Sequence, residues 1–132
     1  MQRCAAFIGL RTEEPRDMID AVFCYVTCAD AAEARTIAFT LVEERLVASA
    51  NVIPAVSSVY RWEGRIHEAS EAVVIIKTRS DLTDAVTTRV RALHSYECPC
   101  IVALSVTGGD PDYLAWIAAE TAEPLEGEPD LA

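Results

Sequence analysis

Cys28, His94, Cys98 and Cys100 are the side chains in this sequence best suited to hold a metal ion. Thiolate sulfur and imidazole nitrogen suit copper and zinc, at bond lengths of roughly 2.0–2.3 Å. Cys98-Pro99-Cys100 is a C-x-C, not the paired C-x-x-C of a zinc framework. Cysteine also serves as a small buried residue, and a loop histidine as a structural hydrogen-bond partner. Metal ligation and plain packing are therefore both open at these positions.

A second set could bind an anion. Lys77 follows four apolar residues, and a cation inside a sheet needs a partner. Glu63 or Glu97 would supply one as an ion pair, and a ligand carboxylate or phosphate would supply the other kind. Tyr60, Arg61, Trp62 and Glu63 stand at a predicted hairpin tip. Large amphipathic aromatics there suit a subunit interface. They also suit the wall of an intersubunit cleft, with Lys77 as the charge and Trp62 or Tyr96 as the stacking face. No G-x-S-x-G elbow, phosphate-binding loop or H-E-x-x-H motif occurs, so no catalytic site is expected.

Composition narrows the partners. The 132 residues carry a formal net charge of −10, which opposes nucleic acid and anionic membrane alike. Five cysteines, an odd number without framework spacing, point to free thiols in the cytoplasm. No apolar run is long enough for a membrane span, and residues 1–19 lack a signal-peptide pattern. Those residues read as a flexible extension, with Met18 a candidate natural start. The stretch 120–132 holds Glu120, Glu123, Glu126, Glu128 and Asp130 and no basic residue, and reads as a flexible acidic tail. The domain itself is expected over 20–119.

The elements that must position the candidate residues follow from patterning. Ala21–Cys28 predicts a strand, with Cys24, Val26 and Cys28 on one face. Asp30 followed by Glu33 is a capping-box start, and Ala34, Ile37, Ala38, Leu41 and Val42 form a helical stripe. A long strand spans 48–62, with a bulge or bend expected at Pro54. Glu63-Gly64 predicts a hairpin turn, and a return strand runs from Arg65 to Thr78. Ser80 or Asp81 should cap a second helix with the stripe Leu82, Ala85, Val86, Val90 and Leu93. His94–Cys100 reads as a loop, Ile101–Val106 as a fourth strand, and Asp110-Pro111 as the start of a short helix.

The order is β-α-β-β-α-β plus a short C-terminal helix, the split ferredoxin-like α+β plan. Two helices cover one face of a four-stranded sheet. The runs AVVII and IVALSV have no polar face, so the uncovered side needs a cover. A second copy of the chain is the simplest one.

Several blocks carry a resemblance: Tyr25-Val26-Thr27-Cys28-Ala29-Asp30, Glu43 to Asn51, Ser58 to Ile66 with its YRWEG, Ile76-Lys77-Thr78, Leu93-His94-Ser95-Tyr96-Glu97 and Gly109 to Trp116. In order and spacing over about residues 20–118, they resemble the CutA divalent-cation tolerance family. The resemblance implies a ferredoxin-like subunit in a tight homotrimer similar to the PII signalling proteins, with a role in tolerance to divalent metals, copper above all. It also implies a metal cluster that falls here on Cys28, His94 and Cys100. The family usually has cysteine at the position of Ser49, proline at those of Ala29 and Ser95, and glutamate at that of Cys100. A Cys-His-Cys set favours soft ions such as Cu(I) or Zn(II). Two other functions fit the same assembly: a PII-like sensor holding a small anion through Arg61, Trp62, Lys77 and Tyr96, and a structural trimer without a ligand.

Overall fold

A computed structural model describes residues 20–122. The expected extension over 1–19 and the tail beyond residue 122 lie outside them. Strand β1 (Ala21–Cys28) alternates in burial as its sequence predicts. Val22, Cys24, Val26 and Cys28 point into the core, and Tyr25 points out.

Helix α1 (Ala31–Glu43) follows at once. Asp30 accepts from the Glu33 N–H at 2.9 Å, and Glu33 reaches back to accept from the Ala29 N–H at 2.9 Å. The two side chains satisfy amide donors that the first turn leaves unpaired. Ala34, Ile37, Ala38 and Leu41 are buried against the sheet, while Val42 is exposed. Val42 stands about 100° round the helix from Leu41, which carries it off the stripe. The helix ends in a Schellman arrangement, with Leu46 N–H donating to the Leu41 carbonyl at 3.1 Å and Arg45 N–H to that of Val42 at 3.0 Å. Arg45 holds the left-handed position, φ 63°, where glycine is usual.

Strands β2 (Ser49–Trp62) and β3 (Arg65–Arg79) form one long hairpin. Glu63 and Gly64 turn it with φ of 54° and 78°, the positive pair a two-residue turn requires. The register slips between Ile53 and Val56, at Pro54, because proline cannot donate to the ladder. β3 pairs with β1 only over Ala72–Arg79. Residues 56–71 therefore run on past β1 as a two-stranded ribbon.

After a 3₁₀ turn at Ser80–Leu82 comes helix α2 (Thr83–Leu93). Neither Ser80 nor Asp81 caps it. The Asp81 carboxylate instead accepts two bonds from the Arg79 guanidinium, at 2.9 and 3.0 Å. Leu82, Val86 and Val90 are buried, and Ala85 is exposed. Strand β4 (Ile101–Ser105) pairs with the free side of β1, giving the antiparallel order β2-β3-β1-β4. Helix α3 (Pro111–Glu120) starts on the Asp110 cap, whose carboxylate accepts from Asp112 N–H. Thr121 is buried and Ala122 N–H bonds the Arg45 carbonyl at 2.7 Å, so the fold runs past the expected end at residue 119.

The second sheet face is open in the single chain. Trp62, Val102 and Leu104 on this face are all at least 48% exposed, far more than strand residues of this size usually are.

Candidate functional site

The last residue of β1 and the first residue after α2 meet at one end of the sheet. Cys28 sits there because strand alternation turns it inward with Val26. His94 arrives because α2 ends at Leu93 and the backbone becomes extended. The side chains of both are fully buried. Glu33, one turn into α1, leans over the same point. One ligand atom from each of Cys28, Glu33 and His94 lies within 4.8 Å of the others.

The hydrogen bonds define the state of each group. Tyr96 N–H donates to His94 Nδ1 at 3.1 Å, so that nitrogen carries a lone pair. His94 Nε2 therefore carries the proton and donates to the Thr27 carbonyl at 2.7 Å. The imidazole is neutral, and both of its nitrogens are engaged. Glu33 accepts from Ala29 N–H through one oxygen and from Ser95 N–H, at 2.7 Å, through the other. Its second oxygen stands 4.0 Å from His94 Nδ1. Burial would raise the Glu33 carboxyl, but the hydrogen bonds from Ala29 and Ser95 hold it below the usual range.

Cys28 is in the opposite condition. Burial first, then the negative charges of Glu33, Asp30 and Glu71, push its thiol up to about 12. The Tyr96 hydroxyl donates to Glu71 at 2.7 Å. Burial, that bond and the nearby acidic groups raise the phenol as well. The donor set of one sulfur, one nitrogen and one oxygen fits a borderline cation such as Zn(II) or copper. A cation would take over the negative field that holds the Cys28 proton in place, and would claim the Nδ1 lone pair now used by Tyr96 N–H.

Cys100 is not in this group. Val26 pairs with Ile101, and Thr27 N–H donates to the Cys100 carbonyl at 3.3 Å, continuing the ladder one step. Cys100 thus lies across from Thr27, whose side chain points to the face opposite Cys28. The expected Cys28–His94–Cys100 set is corrected here: the fold joins Cys28 and His94 to Glu33. Glu33 was visible in the sequence only as a capping residue.

The anion-binding set does not converge within one chain. Arg61 and Trp62 are exposed at the ribbon tip, where Trp62 pairs with Arg65. Lys77 is twelve residues further along β3, about 40 Å at roughly 3.3 Å per residue. Neither Glu63 nor Glu97 pairs with it. Its ammonium donates to the Asn51 side-chain amide oxygen, Oδ1, and lies 5.5 Å from the Phe23 ring centroid. Burial lowers its pKa. Tyr96 is committed to Glu71.

A fold of this order with these blocks is decided by comparison. The family model of the CutA1 divalent ion tolerance protein matches residues 22–120. The chain belongs to the CutA1 family. It is 38% identical over 113 residues to the chloroplastic protein CutA of Arabidopsis thaliana, covering 86% of this chain and 62% of that one. It is 44% identical over 88 residues to the divalent-cation tolerance protein CutA of Thermus thermophilus, covering 67% of this chain and 85% of that one. The chain thus spans less than two thirds of the plant relative's length and most of the bacterial one's. The crystal structure of CutA1 from Oryza sativa superposes with a TM-score of 0.79 at 36% identity, over 83% of this chain and 100% of that one. The ferredoxin-like architecture of CutA1 proteins is therefore the fold of this chain. None of these names carries a catalytic activity. Among the described residues, no helix is long and apolar enough to cross a membrane.

Proposed function

We propose that this CutA1 chain binds a soft or borderline cation, copper or zinc, through Cys28, Glu33 and His94, and contributes to metal tolerance as an assembly of three copies in the cytoplasm. The observation that carries the reading is the meeting of thiol, carboxylate and imidazole within 4.8 Å at a buried strand end. Mixed sulfur, nitrogen and oxygen donors suit such ions better than Mg(II) or Ca(II), which take oxygen. The assembly is supported by the ribbon of residues 56–71 and the apolar strand faces beside it. A lone two-stranded ribbon is marginal in water, and contiguous exposed apolar surface marks an interface. The number three comes from the family resemblance, and the compartment from the free-thiol composition.

Titration against a chromogenic chelator under reducing, anaerobic conditions tests the site. Cys28→Ser, Glu33→Gln and His94→Ala should each weaken Zn(II) or Cu(I) binding by roughly tenfold or more. Equal binding by wild type and Cys28→Ser would sink the assignment. Light scattering tests the assembly, and a stable monomer would contradict it.

A further inference from the structure

Tyr96 holds the buried group in three ways. Its N–H donates to His94 Nδ1 at 3.1 Å. Its ring lies 4.8 Å from the imidazole, centre to centre, tilted by 55°. Its hydroxyl donates to Glu71 at 2.7 Å. Glu71 pairs with Val56, the first step of the ladder beyond the bulge, and it precedes Ala72, which pairs with Cys28. It therefore marks the root of the ribbon, where β2 and β3 run on past β1. One residue thus links the site to the place where the ribbon leaves the sheet.

The two acceptors beneath this loop differ in capacity. Glu33 Oε2 accepts from Ser95 N–H at 2.7 Å, and a carboxylate oxygen has a second lone pair to offer. Imidazole Nδ1 has one lone pair, and Tyr96 N–H occupies it. Once a cation shares Glu33 and His94, Ser95 N–H keeps its acceptor and Tyr96 N–H loses its own. The distances make the exclusion steric as well. Zinc binds imidazole nitrogen at about 2.1 Å. The Tyr96 nitrogen stands 3.1 Å from Nδ1 on that same lone pair, so the ion would lie roughly 1 Å from it. The Tyr96 backbone has to retreat by at least about 1 Å, and a hydroxyl bond of 2.7 Å lengthened that far is broken. The flat tyrosine side chain, with two torsions, carries the movement to its hydroxyl.

We propose that Tyr96 is a latch that couples the metal site to the ribbon. Without metal it closes over His94 and ties Glu71 down. With a cation on Nδ1 it lets go of both. The latch rests on the reading that a cation binds at Cys28, Glu33 and His94. Linkage makes the coupling reciprocal, so whatever loosens the bond between Tyr96 and Glu71 favours the cation.

The test uses the full chain carrying Cys4→Ser, Cys98→Ser and Cys100→Ser, which leaves Cys24 and Cys28 as its thiols. Zn(II) is the probe, and the imidazole NMR signals of His94 report occupancy. Saturation should speed hydrogen exchange of the Tyr96 amide by about tenfold or more, while the Ser95 amide keeps its rate. Tyr96→Phe removes the hydroxyl bond that the opened latch gives up, so this variant should bind Zn(II) about three- to tenfold more tightly. In a Glu71→Ala background the same substitution should leave the affinity unchanged, because the bond is already gone. Thermal unfolding verifies that each variant folds, and the exchange measurement needs no change at Tyr96 or Glu71. A His94 shift with Tyr96 exchange unchanged overturns the latch and leaves the metal site standing. Equal or weaker Zn(II) binding by Tyr96→Phe overturns it too, as does a gain that persists with Glu71→Ala. No His94 shift in excess Zn(II) overturns the binding reading, and the latch with it.

Discussion

Glu33 ties together three segments, and its removal has a calculable cost. Its carboxylate accepts from Ala29 N–H at 2.9 Å and Ser95 N–H at 2.7 Å, joining the start of α1 to the loop after α2. Bonds to a charged acceptor contribute about 1.5–3 kcal/mol each when buried. Ala29 and Ser95 are exposed, so water replaces part of each bond, and the lower end applies. Glu33→Ala should destabilise the metal-free protein by about 2–3 kcal/mol. Glu33→Gln keeps one acceptor oxygen but turns an NH₂ toward the other donor, for about 1–2 kcal/mol. The assay is urea unfolding at fixed chain concentration with chelator present. A slope of about 1.5 kcal/mol/M gives a midpoint drop of about 1.3–2 M for the alanine variant. The pH dependence checks the cause. The folded-state pKa of Glu33 is lowered, so its contribution is full above the unfolded value of about 4.3 and fades as pH falls through the folded value. The gap between wild type and Glu33→Gln should be open at pH 7 and close in strong acid. An alanine midpoint equal to wild type at pH 7 would refute the double anchor. A gap that persists unchanged in acid would refute its ionic origin.

Three other residues give sharp expectations. Arg45 sits at φ 63°, and its guanidinium bonds the Glu120 and Ala119 carbonyls at 3.3 Å. Both Arg45→Ala and Arg45→Gly lose those bonds, but only alanine keeps the left-handed cost, so glycine should be the more stable by about 1 kcal/mol in thermal unfolding. Ser49 Oγ is buried without a hydrogen-bond partner among the described residues. Ser49→Cys, the residue usual in the family, should stabilise by about 1 kcal/mol, and a loss of stability would show that the hydroxyl has a partner. Cys28 is fully buried with its thiol pushed up to about 12, whereas Cys98 and Cys100 are exposed. Iodoacetamide at neutral pH should label Cys98 and Cys100 in the native protein and reach Cys28 only after unfolding, as read by peptide mass spectrometry. Early labelling of Cys28 would contradict its placement.

Much of the fold is written in short-range pattern. The period of two in Ala21–Cys28, the Asp30 cap, the positive-φ turn at Glu63-Gly64 and the break at Pro54 each depend on residues within a turn or a strand pair. Such features follow from local sterics and hydrogen bonding, so spacing reveals them. The cap expected at Ser80 or Asp81 fails because a competing neighbour, Arg79, claims the Asp81 carboxylate.

By itself, then, the sequence determined the elements, their order and the face each presents, and with them the open side of the sheet. The tertiary structure alone decided which chemistry meets. Glu33 reaches Ser95 across 62 positions because β1 delivers the first turn of α1 beside the loop after α2. Cys100 turns away from Cys28 because the β1–β4 register sets it opposite Thr27. Lys77 finds Asn51 and Phe23 in place of an acid because they flank it in neighbouring strands. Register and crossover fix these meetings, and a one-residue slip would reverse them; no local spacing records them.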